Sequence, residues 1–250
     1  MRQSARDPFE IPGPDGTIDG VLCRPDEAGG HWPGVLYLTD IGGVRDAQVD
    51  RAARLAAEGY VVVMPNVFYR TRRPPMFEFP RNMKEERSRV RYAELTTPLT
   101  PAALARDADV YVNWMSDRLE IAPQPFAVVG HCFTGGFALR VAVARPDRIA
   151  LAASFHGGGL ATTSPDSPHH LLPKIRAQLY FGHAEDDPSM PPDAIARLDE
   201  ALAAWGGSYQ SETYAGARHG WTASDGAAYH PEQAERAFRV LLGLLKTTLV

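Results

Sequence analysis

Cysteine is scarce in this 250-residue chain, which holds Cys23 and Cys132 and no other. Two thiols exclude a disulfide-built scaffold and a cysteine-rich zinc site. Long apolar runs are missing too. No uninterrupted stretch approaches the ~20 residues needed to cross a bilayer, so no membrane partner is expected. Met1 to Glu10 is polar and charged. It lacks the apolar core of a secretory signal, which predicts a cytoplasmic protein. A basic excess is also absent. The net charge of −4 is opposite in sign to that of a dedicated nucleic-acid binder. What remains, 44% hydrophobic and 22% charged residues, is an ordinary globular composition. The length suits one large α/β domain or two small ones.

Short apolar runs alternate with longer amphipathic ones. Val35–Leu38, Tyr60–Met64, Phe126–Val129, Ile149–Phe155, Gln178–Phe181 and Tyr209–Tyr214 read as strands. Helices are expected over Arg45–Glu58, from Pro101 to about Leu119, over Phe137–Ala144, Ala194–Trp205 and Pro231–Leu249. Thr100 before Pro101 reads as an N-cap, and Gly59 and Gly206 as stops. Thr17–Cys23 is expected as an early strand, antiparallel at one edge. Strand–helix repetition with nearly continuous apolar strands implies an α/β fold, a mainly parallel sheet with helices on both faces. Residues 1–250 are expected to form a single domain.

Residues 68–100 break the rhythm. They carry Pro74, Pro75, Pro80 and Pro98, show no clear strand, and fill a place where two to six residues would be usual. Arg70 to Arg91 holds eight basic residues against three acidic ones. This stretch reads as a basic insertion over the sheet, with a charged surface helix around Lys84 to Arg91 as the plainer alternative.

The strongest chemical signal is Val128-Val129-Gly130-His131-Cys132-Phe133-Thr134-Gly135-Gly136. A strand ends, a cysteine follows one residue after a glycine, and an alanine-rich helix begins. That is the setting of a nucleophile elbow. The helix N-terminus activates a thiol and offers N–H groups to an oxyanion. Thr134 occupies a position where a small residue is expected, and so threatens to crowd the turn. A thiol nucleophile needs a base, and the base an orienting carboxylate. Glu185, Asp186 and Asp187 follow one later strand, and His219 follows the last. Ligands of open α/β sheets bind at that edge.

Together these segments resemble the dienelactone hydrolase family of the α/β-hydrolase fold, from about Gly20 to Leu245. Gly-His-Cys-Phe-Thr-Gly-Gly, Asp-Pro-Ser-Met-Pro and Ala-Arg-His-Gly-Trp carry the likeness. The resemblance implies Cys132 as nucleophile, His219 as base and Asp187 as the orienting acid. It implies the N–H groups of Ile41 and Phe133 as the oxyanion hole. Asp40 stands where family members place a thiol-activating glutamate. Here it is one methylene shorter, and a loop role satisfying backbone amides competes. The cation that family members place shortly after the histidine is absent from Gly220 to Ser224, so Arg70 and Arg81 become candidates to bind an anionic substrate. Trp221 is expected to wall the site behind His219 and joins Arg70 and Arg81 as a candidate substrate-binding residue. His131 and His156 are possible pocket residues. Cys23 reads as structural, and no metal site is expected at His169-His170, since adjacent loop residues seldom both ligate without further ligands nearby.

The implied activity is hydrolysis of a small ester or lactone through an acyl-enzyme, with no metal or organic cofactor required. A general carboxylesterase or thioesterase, and a non-catalytic binding protein of the same fold, are the alternatives. The oligomeric state is not legible.

Overall fold

A computed structural model describes residues 3–27 and 29–249. Eight strands form one sheet: β1 (Ser4–Gly13), β2 (Gly16–Pro25), β3 (Gly34–Leu38), β4 (Val61–Pro65), β5 (Phe126–His131), β6 (Ile149–Phe155), β7 (Gln178–Asp186) and β8 (Tyr209–Arg218). Their spatial order is β1-β2-β4-β3-β5-β6-β7-β8. β1 pairs antiparallel with β2, and β2 antiparallel with β4, while every later pairing is parallel.

The parallel strands are apolar on both faces because helices cover both. Leu36, Val63 and Val128 point to one side and Val35, Val62 and Val129 to the other, as the two-residue period requires. On the first side pack α3 (Pro101–Ser116), α4 (Gly135–Ala144) and α5 (Pro192–Trp205), through Leu104, Ala108, Phe137, Val141, Leu198 and Leu202. On the second pack α1 (Asp46–Ala57) and α6 (Pro231–Thr248), through Leu55, Ala56, Phe238 and Leu241. Each buried Val, Leu or Phe contributes roughly 1.5–3 kcal/mol. The helix signals act as expected. The Thr100 side chain accepts the Ala103 N–H at the start of α3, and Gly206 closes α5 at φ 70°.

Two expectations need correction. The early strand over Thr17–Cys23 is not at the edge: Ser4–Gly13 is a ten-residue edge strand, so β2 lies one place in. Its two-sided polarity hid it, since an edge strand solvated on alternate positions needs few apolar residues. Gly16, at φ 138°, closes its hairpin with β2. Residues 68–100 contain one helix, α2 (Glu86–Thr96), which buries Ser88 and Leu95. The basic excess there is largely neutralised. Arg72 and Arg91 meet Glu78, Arg87 meets Glu85, Arg73 meets Glu10, and Arg70 reaches Asp15 and Asp107.

The parallel strands all point the same way, so the loops after β3, β5, β6, β7 and β8 share one rim. Asp40, Cys132, His156, Asp187 and His219 stand on those loops.

Candidate active site

The turn at Cys132 is built by its neighbours. β5 ends at His131, a three-residue 3-10 turn follows, and α4 starts at Gly135. Cys132 sits at φ 57°, a left-handed conformation that costs a non-glycine residue about 1–3 kcal/mol. Gly130 and Gly135 make it possible. A Cβ on Gly130 would lie 2.2 Å from the Thr134 carbonyl oxygen, and one on Gly135 2.3 Å from Ser154 Oγ. Thr134 does not crowd the turn. Its hydroxyl accepts the His131 N–H at 2.9 Å and lies 3.0 Å from the carbonyls of Leu38, Thr39 and His131. It straps the elbow to the end of β3.

Three distant residues meet at this turn. His219 Nε2 lies 3.0 Å from Cys132 Sγ, and His219 Nδ1 lies 2.7 Å from Asp187 Oδ2. The other Asp187 oxygen accepts from the Ser189 N–H at 2.9 Å and the Ser189 hydroxyl at 2.6 Å. The carboxylate is thus fixed from behind and faces the imidazole. A cavity of about 620 Å³ opens over the sulfur. Cys132, His219, Ser189, Asp40, Ile41, Phe133, Arg81, Tyr92 and His156 are among its walls.

Electrostatics follow this arrangement. Burial disfavours charge on His219, but hydrogen bonds to Asp187 and Cys132 outweigh it and raise its pKa to about 10. Burial likewise opposes the Asp187 carboxylate, and its bonds to His219 and Ser189 hold its pKa below the usual value. His131 is the opposite case. Burial drives its pKa down to about 3, with Arg51 adding to the effect. Between pH 6.5 and 3 the unfolded chain therefore protonates His131 and the folded chain does not, so stability falls with falling pH. Between pH 6.5 and 10 the folded chain keeps the His219 proton that the unfolded chain loses, so stability falls with rising pH. Each such proton contributes a slope of about 1.4 kcal/mol per pH unit. Urea midpoints in metal-free buffer should peak near neutrality, and His219→Gln should flatten only the alkaline limb. An alkaline limb unchanged in that variant would contradict the assignment.

The dienelactone hydrolase family profile matches residues 18–249. The chain belongs to the dienelactone hydrolase family. A Synechocystis protein provisionally named carboxymethylenebutenolidase is 27% identical over 245 residues, covering 96% of this chain and 95% of its own. A crystal structure from Klebsiella pneumoniae, provisionally titled a dienelactone hydrolase, superposes with a TM-score of 0.84 at 23% identity, over 96% of this chain and 97% of that one. The dienelactone hydrolase of Anabaena variabilis gives 0.69 at 16% identity, over 98% and 99% of the two chains. These structural likenesses carry the α/β-hydrolase fold, and family membership makes the chain a hydrolase.

Within this dienelactone hydrolase fold the other expected residues divide. Ile41 and Phe133 line the cavity beside the sulfur. Asp40 lines it too, but its oxygens are taken by Arg45, Gln48 and the Gly42 N–H. Burial opposes its charge, and the Arg45 guanidinium outweighs that and lowers its pKa. Among the described residues no hydrogen bond joins Asp40 to Cys132. The backbone-amide alternative therefore describes what Asp40 does here, with Arg45 as a partner that the sequence reading missed. Arg81 reaches the cavity, is exposed, and makes no hydrogen bond or ion pair among the described residues.

Arg70 is a correction. Its side chain is 7% exposed, and it grips Asp107 through two nitrogens at 2.6 and 2.8 Å, away from the cavity. It is a structural ion pair. Asp107→Ala leaves the buried Arg70 guanidinium with Asp15 as its remaining ion-pair partner and takes the acceptor from the Tyr69 hydroxyl, and should cost about 1–3 kcal/mol. A chemical melt showing no loss would contradict this. Trp221 is also corrected as a substrate contact. It is fully buried, packs on His156 with ring centroids 5.0 Å apart, and so backs the wall without reaching the cavity. His131 is fully buried, donates its Nδ1–H to the Leu38 carbonyl at 3.1 Å, and is not a cavity residue. His156 does line the cavity. Cys23 is buried in β2, and burial raises its pKa to about 11. The His169 and His170 rings meet at 3.9 Å between centroids, tilted by 38°, and His169 bonds Ser167.

Ser189 and Tyr92 were missed. Ser189 lies inside Asp-Pro-Ser-Met-Pro, where a hydroxyl two residues after a carboxylate forms a local turn. Tyr92 was legible only from the 88, 92, 95 spacing on α2, once that helix was accepted.

Proposed function

We propose that the chain hydrolyses small esters or lactones that carry a stabilised leaving group, through a thioester formed on Cys132. The carrying observation is the unbroken Cys132–His219–Asp187 line at 3.0 and 2.7 Å, beneath one cavity. The proton that His219 Nε2 shares with the sulfur rests on the imidazole, and Sγ attacks the carbonyl carbon. The oxyanion faces the N–H groups of Ile41 and Phe133, a kind of donor worth roughly 10²–10³ in rate each. The tetrahedral centre collapses and expels an alcohol or enolate, which takes its proton from His219. Water then attacks the thioester with His219 as base, releasing the acid and restoring the thiol. Asp187, held by Ser189, keeps Nε2 aimed at the sulfur.

A thiolate leaves a tetrahedral centre more readily than an alkoxide. Enol lactones and aryl esters are therefore favoured over alkyl esters and amides. Arg81 brings a positive charge to the cavity wall and favours substrates bearing a carboxylate. A hydrolysis screen of enol-lactone, aryl, thiol and alkyl esters beside Cys132→Ala tests the reading. Fast turnover of the first two, abolished in the variant, supports it. Turnover retained in the variant would favour a binding protein with incidental activity. A flat leaving-group series would favour a general esterase. Arg81→Glu should raise KM about tenfold for carboxylate-bearing esters, since a bond to a charged group contributes roughly 1.5–3 kcal/mol. An equal rise for neutral esters would remove Arg81 as anchor.

A further inference from the structure

His156 is the residue this chemistry leaves unused. It lies at the end of β6 at φ 41°, fully buried yet lining the cavity. Its Nε2 meets Thr222 Oγ1 at 2.8 Å. Its Nδ1 is buried without a hydrogen-bond partner. A buried ring nitrogen without a partner is costly, and His156, unlike the other histidines with such a nitrogen, lines a cavity from which a ligand could satisfy it. Cys132 Sγ, a His219 ring nitrogen and a His156 ring nitrogen all lie within 4.8 Å of one another.

We propose that Cys132, His156 and His219 form a three-ligand site for a thiophilic divalent cation, Zn²⁺ above all, whose binding reversibly blocks the cavity. One sulfur and two imidazoles are a donor set zinc accepts, with the fourth position open to water. Both histidines already have the outer partners that metal-binding imidazoles need. Asp187 holds Nδ1 of His219, leaving Nε2 toward the sulfur. Thr222 holds Nε2 of His156, leaving Nδ1 free as a lone pair when its hydroxyl accepts the Nε2–H. A tetrahedral ion with bonds of ~2.3 Å to sulfur and ~2.0–2.1 Å to nitrogen spaces sulfur and nitrogen about 3.6 Å apart. The present 3.0 Å contact between Sγ and His219 must open by about half an ångström. His219 is only half-buried and borders the cavity, so it has room, whereas His156 is held by Trp221 and His131. Binding forms one metal–sulfur and two metal–nitrogen bonds and releases the single proton that Sγ and Nε2 share. No oxidant or reductant is involved. The proposal rests on this geometry and not on Cys132 being the nucleophile.

Cobalt(II) titration of the purified protein tests it. One equivalent should bind with a thiolate-to-cobalt charge-transfer band and the intense visible absorption of a four-coordinate ion, and Zn²⁺ should displace it. Cys132→Ser should abolish the band. His156→Phe and His156→Gln should each weaken binding by about tenfold or more. X-ray absorption at the zinc edge of the unaltered protein should show one sulfur and two imidazoles, a result independent of whether the variants fold. Unchanged affinity in both His156 variants, or a spectrum with one imidazole, would overturn the site. The hydrolysis screen is read separately, in chelator, so failure of either idea leaves the other standing.

Discussion

Replacing His219, the proposed base, by alanine should lower turnover of an activated ester by roughly 10⁴–10⁶-fold, because members of a catalytic triad act as a unit. The imidazole makes both productive contacts, 3.0 Å to sulfur and 2.7 Å to carboxylate. Nothing else lining the cavity makes both. His156 shares the wall, but burial holds it neutral, with the His219 charge pushing the same way. Its ring contacts are to His131, Trp221 and His219, and its Nε2 meets the Thr222 hydroxyl rather than a carboxylate. It therefore does not substitute as base. The variant should keep its fold, since His219 is half-buried and its neighbour Gly220 is open. A stopped assay over several hours reads the loss, with a thermal melt as control. Near-normal turnover in a folded variant would remove His219 as base.

The largest stability loss should come from Gly130→Ala. Its Cβ would stand 2.2 Å from the Thr134 carbonyl oxygen and 2.9 Å from the Gly135 Cα. Both are backbone atoms, so no side chain can swing aside. α4 would have to retreat from β5, breaking the Thr134 strap and the packing of Phe137 and Val141 beneath it. Overpacking a core commonly costs about 1–3 kcal/mol, and this backbone clash belongs at or above the upper end. Gly243→Ala is the control, because no atom lies within 4 Å of its added Cβ and it sits in a helix. The urea midpoint should fall sharply for the first and hold or rise for the second. Equal midpoints would show that the elbow does not depend on that close approach.

The parallel core was legible because both faces of each central strand are buried, which leaves runs such as Tyr60–Met64 with no polar interruption. The convergence of the candidate residues was legible for a related reason. Cys132, Asp187 and His219 each follow a strand directly, and a parallel sheet brings such ends to one rim. What escaped was set by pairing across space. β1 is an edge strand with solvated alternate positions, so Arg6 and Glu10 disguised it. Arg70 looked like a free cation because its partner Asp107 is 37 residues away on α3. Asp40 looked available for the same reason, with Arg45 and Gln48 supplied by the next loop and helix. Charge counted along a sequence does not reveal which charges are already neutralised.

The central claim is a covalent bond to one sulfur. Intact-mass measurement during rapid-quench turnover of an aryl ester, followed by peptide mapping, tests it most directly. The account predicts a transient acyl adduct on the peptide carrying Cys132, absent in Cys132→Ser and persistent in His219→Ala if that variant is acylated. Hydrolysis proceeding at full rate with no adduct, or an adduct only on Cys23, would contradict it.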